Sequence, residues 1–170
     1  MTEVHTTPHP TSALSRSNPP PPDANFRNRP FTSPASGPQA GQPFLGLVDA
    51  FQATGGLIRV DDLESMFMLR SFGFSKEFAM SITARQVIHF EWQAQTWLPL
   101  FQFDLIRMQA RPALVPILAE LNSIYDNWEV ADWFARINPW LGGYSPSQEL
   151  GRNPLAVMNA ASAEVFVARG

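Results

Sequence analysis

Cysteine is absent from this chain of 170 residues, which removes disulfides, thiolate metal sites and thiol nucleophiles. Positive charge is also scarce: 12 Lys and Arg stand against 15 Asp and Glu, for a net charge of -3. From residue 44 onward the balance is nine basic to thirteen acidic side chains. A nucleic-acid binder normally carries a basic excess or stripe, so a purely DNA-directed function is disfavoured. Apolar runs of membrane-spanning length are missing, and the polar, proline-rich N-terminus lacks the apolar core of a signal peptide, so the expectation is a cytoplasmic protein. Of three histidines, His5 and His9 fall in that N-terminal stretch. His89 remains, and one imidazole with Glu91 beside it does not make a metal site. No nucleophile elbow, phosphate-cradling glycine loop or dinucleotide fingerprint occurs, and no carboxylate pair is patterned for acid–base work. The chain is therefore expected not to be an enzyme and to need no cofactor or metal.

What is present is an aliphatic and aromatic body behind a polar leader. Residues 1–43 are dominated by Pro, Ser, Thr, Asn and Gly, with a run at Pro19–Pro22, and offer too little apolar surface to offset the entropy of ordering. A disordered leader is expected there. Folding should begin at Phe44, where Phe44, Leu45, Leu47, Val48 and Phe51 fit one helical face ending at Gly55-Gly56. A second helix is expected from Asp61, whose acidic first turn suits the helix dipole, with Leu63, Met66, Phe67 and Leu69 buried and Arg70 in the last turn. Ser75 can cap a third helix reaching Ala84.

Residues 87–92 and 97–103 are rich in β-branched and aromatic side chains, and the polar connection 93–96 makes them a β-hairpin. Pro99 cannot donate to a ladder, which would confine the second strand to a sheet edge. Helices followed by a hairpin give a winged-helix-like expectation for residues 44–104, with Lys76, Ser81 and Arg85 as candidate DNA contacts. The same shape used to dimerise or scaffold is the competing expectation.

Residues 105–170 return to helix. Pro112 suits a helix start with Leu114, Val115, Leu118 and Leu121 on one face, and Asp126 or Asn127 can cap the next helix. That helix has Trp128, Ala131, Trp133, Phe134 and Ile137 at its apolar positions, and Asn138-Pro139 ends it. Gly142-Gly143 permits a reversal, and Ser145-Pro146 and Asn153-Pro154 open two more helices. Leu155, Val157, Met158, Ala161, Val165 and Phe166 make an apolar stripe on the last one.

The motif NP-x-L-x-G-x-SP followed by a leucine, behind a Trp-bearing helix, resembles the C-terminal toxin-binding domain of Xre/MbcA/ParS-type bacterial antitoxins. Its matching residues are Trp133, Asn138, Pro139, Leu141, Gly143, Ser145, Pro146 and Leu150, and the preceding stretch 85–104 is similar to the segment before this domain in such proteins. The resemblance implies a mainly α protein with one β-hairpin (α+β), the winged-helix-like part leading into a small helical toxin-binding domain at 105–170. It implies a homodimer that binds a RES-type toxin acting on NAD and blocks it by occlusion, and that autoregulates transcription. Trp140, Tyr144, Arg152 and Arg169 would be the toxin contacts. A DNA-binding regulator, or a dimerising adaptor without a toxin, is the alternative.

Overall fold

The computed structural model describes residues 41–69, 76–107 and 109–170. The leader expected at 1–43, and Arg70 and the Ser75 cap of the third helix, lie wholly or mostly outside the described residues. At the leader's end the boundary moves: helix α1 spans Gly41–Gln52, taking in residues 41–43, because Pro43 falls in the first turn where its missing N–H costs nothing. The fold is mainly helical with a small antiparallel sheet, an α+β arrangement.

Helix α1 buries Leu47 and Phe51 and turns Leu45 to solvent. It stops where the N–H groups of Thr54 and Gly56 both bond the Phe51 carbonyl, at 2.9 and 2.8 Å. Gly55 there has φ 107° and sits so close to Leu100 that an added Cβ would come within 3.2 Å of the Leu100 Cβ. Strand β1 (Leu57–Arg59), helix α2 (Val60–Leu69), helix α3 (Lys76–Thr83), and strands β2 (Phe90–Trp92) and β3 (Gln95–Pro99) follow. They form one antiparallel sheet ordered β1-β3-β2.

Two expectations about the hairpin change. The connection is two residues, Gln93-Ala94, with φ 48° and 57°, the left-handed pair of a type I′ turn whose twist matches its strands. And β3 is the central strand, with Pro99 at its end opposite Leu57. Pro99 is accommodated because the pairing of β3 with β2 stops at Trp97 and Phe90, so no β2 residue calls on its N–H. There the Gln102 carboxamide replaces the ladder: Oε1 accepts from Ile88 N at 2.7 Å and Nε2 donates to Ile88 O at 2.8 Å. Gln102 is fully buried, in a 3-10 turn at residues 100–102. Phe103 then leaves the expected hairpin strand for a second pair, β4 (Phe103–Asp104) with β5 (Gln109–Ala110).

The C-terminal helices are α4 (Leu114–Leu121), α5 (Asn127–Ala135), α6 (Pro146–Glu149) and α7 (Pro154–Arg169). Asp126 caps α5 in a reciprocal box with Glu129, satisfying two free helix-end donors. Helix α7 packs on α4 and buries Val157, Ala160, Ala161 and Val165. Where these helices meet, the Tyr125 hydroxyl donates to Glu164 Oε1 at 2.6 Å, and burial together with that carboxylate holds the phenol well above its ordinary pKa.

One cluster of buried side chains crosses the boundary expected at residue 104. It runs from Leu47 and Phe51 through Phe90 and Phe101 to Leu114, Phe134, Val157 and Ala161. Phe51 stacks on Phe101 at 5.5 Å, Phe101 meets Phe134 at 5.4 Å, and Phe90 meets Trp128 at 4.6 Å. Each such ring contributes burial of about 1.5–3 kcal/mol, so α1, the sheet and α5 share a core. A smaller cluster of Leu63, Phe67, Val87, Leu98 and Phe103 lies under α2 and α3.

Candidate functional site: a docking face at the C-terminal turn

The turn after α5 is held by its own polar groups. Arg136 caps α5 in extended conformation, and Asn138 (φ -112°, ψ 122°) stays extended as the residue before a proline must. Its Oδ1 accepts from Trp140 N at 2.9 Å, capping a 3-10 turn at 139–141, while its own N–H donates to Tyr144 O at 3.0 Å and closes the loop. Gly142 and Gly143 supply the left-handed residues, φ 65° and 89°. Ser145 then caps α6 reciprocally with Gln148, and Pro146 occupies the first helical position. Trp133, Leu141, Ser145, Pro146 and Leu150 are buried, so the motif residues frame the turn from below. Pro139 and Gly143 face solvent.

Above that frame the large side chains point out. Trp140 is 69% exposed, Ile137 72%, and Tyr144 is exposed beside them, with the Arg152 guanidinium 5.3 Å from the Tyr144 ring centre. Arg152 also pairs with Glu149 at 3.5 Å, and Arg136 pairs with Asp132, four residues back on α5. Burial raises the Asp132 carboxyl above its usual range, an effect the Arg136 cation opposes. Ile137 was expected on the buried face of α5. It escapes because the helix ends at Ala135, so the 3.6-residue period no longer governs it.

Of the four expected contacts, Tyr144 and Arg152 meet, Trp140 stands exposed on the same turn, and Arg169 is apart from them. Arg169 ends α7, about 22 Å along the helix from Pro154 at 1.5 Å per residue, and donates to Ser123 Oγ at 2.9 Å. The stripe expected on α7 divides: Val157, Ala161 and Val165 are buried, whereas Leu155 and Phe166 are exposed, Phe166 by 80%. Those two lie eleven residues apart, just over three full turns, on one outward ridge.

Two of the three candidate DNA contacts, Arg85 and Ser81, have partners inside the fold. Arg85 has φ 52°, and its guanidinium is spent inside the fold, Nε on Asn127 Oδ1 at 2.6 Å and Nη2 on Tyr125 O at 2.8 Å. Arg85 thus fixes the Asn127 amide, which turns its Nδ2 to His89 Nε2 at 2.9 Å while His89 Nδ1 meets Val87 O at 3.1 Å. With the amide so oriented, Nε2 accepts and Nδ1 donates. Ser81 Oγ bonds Phe78 O at 2.7 Å within α3. Lys76 opens α3, its side chain outside the described part.

Among the described residues no group of three or more His, Asp or Glu is placed to hold a metal ion, and no helix is long and apolar enough to cross a membrane. No family model, no curated protein and no solved structure matches this chain. The face therefore has to be interpreted from its own chemistry. Sequence reasoning missed Ile137 and Arg136 as members of it; the signal available was the Asn-Pro pair, which strips both of helical constraint.

Proposed function

We propose that this protein is an antitoxin-like binding protein whose C-terminal turn docks on a cognate toxin of the RES type and blocks its NAD-directed active site by occlusion. The observation that carries the reading is Trp140, an indole more than two-thirds exposed on a turn that hydrogen bonds make rigid. A large side chain held out on a stiff support loses little entropy on docking, the property of an interface anchor. Tyr144, Ile137 and Arg152 extend the anchor into a patch, and the antitoxin-like motif forms its base. The toxin would hold the chemistry; this chain supplies the plug.

Residues 44–104 are read as a winged-helix-like scaffold. Its support is the order helix, strand, two helices, two strands, with the last strand in the middle of the sheet. For a duplex reader the region is poor in free cations: α3 and the hairpin carry Lys76, and Arg85 behind them is engaged with Asn127 and Tyr125. That favours a dimerising scaffold over operator binding, with direct transcriptional regulation as the second reading.

The test is co-expression with the product of the neighbouring open reading frame. A copurifying protein whose affinity falls about 30-fold or more on Trp140→Ala, the scale of an interface hot spot, is the expected result. Recovery of this chain alone, with operator binding that weakens steeply in salt, would establish the regulator instead.

A further inference from the structure

The two ion pairs flanking the docking face are lopsided in a way that sets its outward charge. In the first, the Arg136 side chain is 58% exposed and its partner Asp132 26%. In the second, Arg152 is 67% exposed and Glu149 15%. Both carboxylates lie underneath, against the body of the protein, and both guanidinium groups lie on top. The Asn138 N–H to Tyr144 carbonyl bond joins the two ends of the turn, so the backbone two residues after Arg136 meets that of the residue whose ring lies beneath Arg152, with Trp140 in the loop between them. From the geometry we infer that the face presents an apolar centre of Ile137, Trp140 and Tyr144 inside a cationic rim of Arg136 and Arg152. Its occupant is a partner protein bearing an apolar recess ringed by carboxylates.

Formal charge would not have found this. The pairs sum to zero and the whole chain is net -3, but a field is set by which member of each pair stands nearer the solvent. The inference rests on the docking reading above and adds to it the chemistry of the matching surface. Arg136, absent from the expected contacts, becomes one of them, and Arg169 drops out of the set.

The rim can be measured without a partner. Five tryptophans are present; Trp128 and Trp133 are buried, Trp92 and Trp97 half-buried, and Trp140 alone is mostly exposed. The fluorescence difference between the full chain and its Trp140→Phe variant therefore isolates that indole. With each quenching constant taken relative to that of N-acetyltryptophanamide at the same ionic strength, iodide is expected to quench it at least about twofold more efficiently than caesium, a ratio that a local potential below one kT produces. The double variant Arg136→Gln, Arg152→Gln should bring the ratio down to unity or below. A ratio at or below unity in the unaltered chain overturns the inference and leaves the docking reading standing.

The second arm uses the copurified complex. Arg136→Glu with Arg152→Glu should weaken it at least tenfold, and the Gln pair serves where the Glu pair fails to fold. A complex indifferent to both overturns the inference alone. The absence of any complex removes the docking reading on which it rests.

Discussion

Replacing Gln102 by leucine tests whether one buried side chain stands in for a stretch of β-ladder. The carboxamide makes two bonds to Ile88, 2.7 Å to its N–H and 2.8 Å to its carbonyl, in a site closed to solvent. Leucine fills nearly the same volume, so the loss is dominated by two backbone groups left unpaired. Pro99, the last residue of β3, has no N–H to offer in exchange. At about 1–3 kcal/mol for each buried unsatisfied group, and with the relief of no longer burying an amide, the cost comes to about 2–5 kcal/mol. That is a large part of the roughly 5–15 kcal/mol that holds a domain together, and equals a fall of about 1–3 M in the urea midpoint at ordinary slopes. Equilibrium urea unfolding gives the number, and hydrogen exchange at the Ile88 amide gives its location. A loss under about 0.5 kcal/mol, with Ile88 still protected from exchange, would show that the clamp is not what closes this end of the sheet.

Two further outcomes are expected. Ala94→Gly should stabilise the protein by about 1 kcal/mol, since alanine in a left-handed conformation costs about 1–2 kcal/mol and glycine returns part of the gain as chain entropy; thermal unfolding measures it, and no rise in midpoint would contradict the type I′ assignment. Asp132 should make stability fall with rising pH: burial lifts its carboxyl in the folded chain above the ordinary value, so its contribution is fully present below the unfolded pKa and lost as pH climbs through the folded one. In Asp132→Asn that slope should flatten above pH 4, as pH-dependent urea unfolding will show.

The sequence alone determined where helices start and where the C-terminal turn reverses, because those signals are local. Asp126, Asn138, Ser145 and Asn153 each cap from one position using a side chain three residues or fewer from the group it satisfies. Gly142-Gly143 and the prolines at 139, 146 and 154 act through backbone angles that no distant contact has to supply. The shortage of positive charge from residue 44 onward needed no coordinates at all.

Everything that depends on partners far along the chain was decided by the tertiary structure. Pro99 argued for an edge strand, yet it ends the central one, because the pairing with β2 stops at Trp97, before its missing N–H is needed. Arg85 was a free cation on paper and became an internal clamp across some forty residues to Tyr125 and Asn127. Leu155 and Phe166 continued an apolar stripe, but the packed body covers only Val157, Ala160, Ala161 and Val165 on that helix. The exposed halves of the Arg136 and Arg152 pairs, which give the docking face its sign, follow from which atoms the packed body shields. Spacing along a chain records which groups can bond locally; which of them are left facing water is a property of the surface that the whole fold creates.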